Sequence, residues 1–569
     1  MPGGAAVTES RAGGSVTDIV LIAAVGSLAV AGALVWLWGG VAGALFGGGW
    51  PRVGTGELFG VLIHLPARLG DPARAWPASA RARLPGPADF YATLALVCAG
   101  AGALVLLTRR AGAVLAGPRR GGGARWAGIA DLRSLRGSGR DGRLTLGRRN
   151  GRLLHAEQRH ALVAFGPPQS GKSAGLAVPA LLEWSGAAVA SSIKTDLLAA
   201  TAARRRELGD VFVFDPFELA GTASHTWSPL QAARTWDGAL EVAWRLAAAG
   251  ELDARTVEGG DFWSIAAEQR LAPLLHAAAA SGAKIDAVVR WVYGQGTREL
   301  HQALAELSRG ARSEDELAGA HAAYDAVRAF EAQADRTRSS IEATAQAMLR
   351  AYRFARVARS ARSSEITPDR LLDQPATLYL IGDAKASKLL RPLFLALLSE
   401  VVDRAYERAT LAGGELELPL LLCLDEAGNV APLPNLAEIA STAPSHNIQL
   451  VSIFHDLAQA RSRYRLQAET VVNSHRARML LPGVADLETL RYFAGLVGEE
   501  EAPDRTHTTG AGGTSRSTGW RRRPLVAPEA LRQLPQGHAL LLYGRVPPTE
   551  LRLRLWFADR RLRRLAQPR

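Results

Sequence analysis

The stretch that most limits what this chain can fold into is residues 161–184, "ALVAFGPPQSGKSAGLAVPALLEW". The first five apolar residues predict a short buried strand, and the run after the glycines predicts a helix. Between them, residues 166–173 fit G-x-x-x-x-G-K-[ST], a loop whose backbone N–H groups converge on phosphate at a helix N-terminus. The 67 basic residues include lysine only at Lys172, Lys194, Lys284, Lys385 and Lys388. Lysine at 172 suits a compact point charge on a flexible stem, reaching phosphate where a planar guanidinium does not fit. On this reading Gly166, Pro167, Pro168, Gln169, Ser170, Gly171, Lys172 and Ser173 bind ATP. The N–H groups of 169–172 wrap its phosphates, and the Ser173 hydroxyl meets Mg2+.

A phosphate loop needs an acidic partner at another strand end. "ELPLLLCLDEAGNV" supplies it: 418–424 is a continuous apolar run, as buried parallel strands show, and Asp425 and Glu426 end it. Asp425 is expected to hold Mg2+ through its water shell, and Glu426 to polarise the attacking water as general base. Further apolar runs at 186–191, 210–216, 376–383, 447–454, 477–483 and 538–544 alternate with helical stretches. This predicts an α/β fold, a doubly wound and mostly parallel sheet with its ligand at the strand C-termini. Lys194, Lys385 and Lys388 follow strand ends, and Lys194 is expected to face the nucleotide or a subunit boundary. Residues 238–365 carry helical spacing and predict an inserted all-α domain. It divides the nucleotide-binding domain into 111–237 and 366–569. Residues 499–523, rich in Gly, Ser, Thr and Arg, read as a mobile surface loop.

Residues 19–50 and 90–108 contain no charged side chain. They predict two transmembrane helices, about 19–45 and 90–108, within a 1–110 anchor. The first run lacks the short apolar core and cleavable end of a signal peptide. Arginine counting does not orient the pair, because the intervening loop carries Arg52, Arg68, Arg74, Arg81 and Arg83. The nucleotide pool is cytoplasmic, which places the domain after residue 110 inside the cell and the loop outside. Residues 109–160 hold thirteen arginines against Asp131, Asp141 and Glu157. That stretch reads as a membrane flank, a surface for nucleic acid or anionic lipid, or both. Cys98 and Cys423 lie in apolar runs without metal-ligand spacing and read as small buried hydrophobes.

The order of "ARWAGIADLRSL", the phosphate loop, "IKTDL", "VFDPF", "WSPL", a helical insertion, "LDEAGNVAPLPNLAEIAS", "DLAQARSRYR" and "LRQLPQGHALLLYGRVPPTELRLRLW" resembles type IV secretion coupling proteins. These are the TraG/TraD-like ATPases of conjugative DNA transfer, within the FtsK/HerA-like P-loop superfamily. The resemblance implies a RecA-like core in an inner-membrane homo-hexamer with a central channel. It implies ATP-driven transfer of single-stranded DNA with its relaxase, or of secreted proteins, to other type IV secretion components. The helical insertion would then choose substrates. Three positions depart from the family pattern. His455 stands where a glutamine usually senses the γ-phosphate, and can also donate a hydrogen bond to phosphate. Pro444 and Ser445 stand where relatives often carry an arginine that acts on a neighbour's nucleotide, leaving Arg461, Arg463, Arg476 and Arg478 as candidates. Ser192 replaces the aspartate two residues before Lys194. Two alternatives remain: an FtsK-like DNA translocase, and a nucleotide-binding substrate receptor with little hydrolysis.

Overall fold

The computed structural model describes residues 16–115, 123–137, 143–254, 260–510 and 513–567. Parts of the basic stretch, 116–122 and 138–142, therefore lie outside the described residues. The chain divides into two compact units, 1–121 and 122–569.

In the first unit the two uncharged runs fall within the helices Val16–Phe46 and Pro87–Leu115. Among the described residues, no helix is long and apolar enough to cross a membrane. The segment between these helices is folded: it contains the helix Thr55–His64 and buries Trp76, which packs beside Gly39. The Trp38 indole N–H donates to the Phe90 carbonyl (2.8 Å), tying the two helices together. Cys98 is exposed on the second helix, contrary to expectation, whereas Cys423 is buried in a strand.

The second unit is built on β1 (Thr145–Arg149), β2 (Arg152–His155), β3 (Leu162–Phe165), β4 (Ala187–Ser192), β5 (Val211–Phe214), β6 (Thr377–Ile381), β7 (Leu420–Leu424), β8 (Ile448–Phe454), β9 (Ala477–Leu480), β10 (Glu499–Gly510), β11 (Gly513–Pro524), β12 (His538–Tyr543) and β13 (Val546–Arg552). Eleven of these form one sheet in the order β2-β1-β13-β12-β9-β3-β8-β7-β4-β6-β5. From β9 to β5 every pairing is parallel, and β12, β13, β1 and β2 extend the sheet with antiparallel pairings. The parallel strands are largely apolar because both faces are covered, with a few polar side chains such as Ser191, Thr377, Gln449 and Ser452 buried among them. Val163 and Phe165 of β3 enter one core, and Leu162 and Ala164 enter the other.

Between β5 and β6 the chain runs through helices from Trp236–Ala254 to Ala355–Ser360. Their apolar faces, including Leu271, Val288, Leu304 and Val327, join the core on one face of the sheet. The stretch expected as a mobile loop is instead a hairpin, with Glu499 opposite Pro524 and Gly510 opposite Gly513. Its polar composition reads as loop because neither face of an isolated two-stranded ribbon has to be apolar.

Candidate active site

Strand order places the site. β8 lies between β3, which enters the phosphate loop, and β7, which ends in the two carboxylates. The residue after β8, His455, is therefore delivered beside Glu426. The loop is shaped by close approach: a Cβ on Gly166 would stand 2.4 Å from Ser170 Oγ, and Gly171 has φ +87°. Gly166 N–H donates to the Phe454 carbonyl (2.9 Å), fixing the loop's start against β8. Ser173 opens a π-helical turn, Ser173–Ala177, that continues as the helix Val178–Glu183. The chain's last part closes over this element. Trp556 N–H donates to the Ala174 carbonyl (3.0 Å), and buried Arg554 bridges Glu183 (2.8 Å) and Asp559 (3.0 Å). The sequence reading did not single out this clamp, although "LPQGHALLL" with the "RLRLW" after it was its signal.

The expected residues meet as two groups. Ser173 Oγ donates to Asp425 Oδ2 at 2.5 Å. Lys172 Nζ pairs with Glu426 Oε1, and His455 Nε2 lies 2.8 and 2.6 Å from the two Glu426 oxygens. Asn429 Nδ2 also donates to Glu426 Oε2 (3.0 Å). Lys172, Asp425 and Glu426 are all buried. Burial pushes the Asp425 carboxyl up to about 6, against the Ser173 hydrogen bond and the Lys172 charge. Glu426 feels burial in the same sense, but His455 and Lys172 outweigh it and hold its carboxyl at about 2. Glu426 also has φ +62°, uncommon for a residue with a side chain. That backbone turns its carboxylate from the strand end toward Lys172.

At this site two buried side-chain atoms, Ser170 Oγ and Asp425 Oδ1, have no hydrogen-bond partner among the described residues. An orphaned carboxylate oxygen beside a hydroxyl and a lysine suits a divalent cation with its phosphate, so the residues present fit Mg2+ with a nucleoside triphosphate. His455 touches the proposed base, whereas the sequence reading placed it toward phosphate. Ser192 is buried at the end of β4 and its Oγ accepts from Lys194 N–H (3.2 Å), while the Lys194 side chain is exposed. Arg461 pairs with Glu469 and Glu488, and Arg476 reaches Glu157 (3.3 Å). Arg478 donates to the carbonyls of Val472 and Asn473 (both 3.1 Å).

With this geometry in place, residues 129–568 match the family described as type IV secretory system conjugative DNA transfer. The chain belongs to that family. This family member is 25% identical over 415 residues to a conjugal transfer protein TraG of Escherichia coli, covering 67% of this chain and 63% of the relative. It is 24% identical over 465 residues to protein VirD4 of Agrobacterium fabrum, covering 78% of this chain and 67% of that one. The match thus spans less than two thirds of the TraG relative's own length. Among solved structures it resembles the bacterial conjugative coupling protein TrwBdeltaN70, with TM-score 0.58, 17% identity, and 76% and 92% coverage of this chain and that one. A TrwB structure in complex with ADP and Mg2+ gives TM-score 0.56 and 17% identity, covering 78% of this chain and 96% of that one. These likenesses establish the α/β fold with its large, mostly parallel sheet.

Proposed function

We propose that this chain is a membrane-anchored, ATP-driven coupling protein that passes DNA, as a relaxase–DNA complex, or protein substrates into a type IV secretion channel. The observation that carries this reading is the meeting of Lys172, Ser173, Asp425, Glu426 and His455 at the C-terminal edge of parallel strands in a conjugative DNA-transfer family member. ATP with Mg2+ as ligands is supported by TrwB, described in complex with the ATP analogue ADPNP and with ADP and Mg2+. The bound nucleotide supplies a phosphoanhydride whose cleavage drives movement.

Lys172 would hold phosphate oxygens, and Ser173 with Asp425 would hold the metal and its waters. Glu426 would take the proton of the attacking water, oriented by His455 and Asn429. Lys172 cannot serve phosphate while it is paired with Glu426. Exchanging that partner removes one of the side chains that hold the Glu426 pKa down, which makes Glu426 a stronger base when nucleotide is held. The Val16–Phe46 and Pro87–Leu115 helices would form a two-span anchor in the bacterial plasma membrane, with the sheet unit cytoplasmic. A closed homo-hexamer is what the resemblance to coupling proteins implies, in keeping with the general preference of oligomers for closed symmetry. The residues 238–365 would serve as the substrate-choosing insertion.

In a cell with the cognate transfer system, Lys172→Ala is expected to abolish substrate transfer at an unchanged protein level in the membrane. Undiminished transfer would contradict the reading. A second reading, a nucleotide-binding receptor with little hydrolysis, is favoured by one observation: Lys172, His455 and Asn429 all engage the Glu426 carboxylate, which makes it a weaker proton acceptor.

A further inference from the structure

A cavity of about 750 Å³ opens among the helices Trp236–Ala254, Gly260–Ala280, Thr297–Gly310 and Glu314–Glu331. It lies apart from the phosphate loop and shares no lining residue with it. Its wall carries Asp237, Glu306, Asp315 and Glu316 against one base, Arg234. Glu316 already accepts the Arg312 backbone N–H (2.7 Å). Among the described residues, Asp237, Glu306 and Asp315 have no hydrogen-bond or ion-pair partner, and all three are exposed.

A separate observation comes from His276, which lines the cavity and is only 4% exposed. Its Nδ1 lies 3.0 Å from the Ala233 carbonyl, which can only accept, so Nδ1 carries the hydrogen. Burial lowers the ring's pKa and keeps it neutral. Nε2 is therefore a lone-pair acceptor. It has no partner among the described residues and faces Gly319 on the cavity wall, where an added Cβ would lie 3.8 Å away. Trp236 packs edge-on to this ring (6.0 Å between centroids) and adds an aromatic surface to the wall. A buried acceptor, three unpaired carboxylates and an indole together complement a group rich in N–H donors and positive charge.

We infer that this cavity docks an arginine or lysine side chain of a polypeptide partner. Nucleic acid does not fit, since its phosphates would meet the carboxylates. The volume lies within the usual range for ligand pockets, roughly 300–1,000 Å³, and leaves room for residues flanking the inserted side chain. The inference does not depend on whether the nucleotide site hydrolyses ATP.

The test uses the full chain in lipid nanodiscs and fluorescence anisotropy with two probes, a labelled arginine-containing peptide and a labelled single-stranded oligonucleotide. The combined Asp237→Asn, Glu306→Gln and Asp315→Asn variant is expected to weaken peptide binding about tenfold or more. Oligonucleotide binding is expected to stay the same or tighten. Ala322→Arg, which adds a cation to the wall, is expected to weaken the peptide likewise. Peptide binding as tight in both variants as in the parent would overturn the inference, as would no binding by the parent at low salt. Displacement of the peptide by equimolar spermidine would overturn it too, since the site would then take free polyamines. Loss of oligonucleotide binding in the charge-neutralised variant would reassign the cavity to nucleic acid.

Discussion

The sheet edge and the helical insertion handle charge in opposite ways. At the sheet edge Lys172, Glu426, His455 and Asn429 satisfy one another, and Ser173 satisfies one oxygen of Asp425. In the insertion, Asp237, Glu306, Asp315 and His276 Nε2 are left open toward a cavity. Groups that close on one another must exchange partners to act, which makes their use conditional on the incoming ligand. Groups left open cost little in water and are free for a partner of complementary charge.

The largest expected effect breaks the paired side of this contrast. Removing the Lys172 ammonium, as Lys172→Ala, should lower ATP turnover on the order of 10²–10³-fold, measured by phosphate release. It would also leave Glu426 with His455 and Asn429 alone. The sheet beneath is the next largest: Leu422→Ala empties a fully buried site in β7 and should cost about 2–5 kcal/mol, read from denaturant unfolding.

His475 tests the interior without touching the nucleotide cluster. It is buried between the Val471 carbonyl (2.7 Å) and Ser452 Oγ (3.1 Å), and burial lowers its pKa to about 4. The unfolded chain, with an ordinary value near 6.5, binds this proton first as pH falls. Stability from this group is therefore complete above pH 6.5 and is lost as pH falls toward 4. About 2 kcal/mol should go by pH 5. Thermal midpoints from pH 7 to 5 should fall less steeply in His475→Gln. Neutralising the insertion carboxylates, with its tenfold effect on a basic peptide, follows in size. His455→Gln should be the mildest change, since an amide can also donate to Glu426. A turnover drop as large as that of Lys172→Ala would show that the imidazole does more than orient the base.

Much of the sheet was legible because strands covered on both faces are mostly apolar, as "ALVAF", "LLLCL" and the "ALLL" of β12 are. β1, β2 and β13 were missed because "TLGRR", "RLLH" and "VPPTELR" mix arginine, proline and short apolar runs at the sheet's edge. The phosphate loop was readable from local spacing. The contact between Lys172 and Glu426 was not, since the two lie 254 residues apart and β8 must insert to bring His455 beside them. The insertion cavity was invisible for a related reason. Asp237, Glu306 and Asp315 each read as an ordinary solvated helix position until the packing of four helices places them around His276.

The most direct test of the account is ATP turnover by the full chain in nanodiscs with Mg2+, with and without single-stranded DNA, beside Glu426→Gln. The account predicts hydrolysis by the parent chain that DNA accelerates. It also predicts a fall on the order of 10²–10³-fold in the variant with nucleotide binding retained. A parent chain that turns over no faster than Glu426→Gln under every condition would contradict the motor and leave a nucleotide-binding receptor.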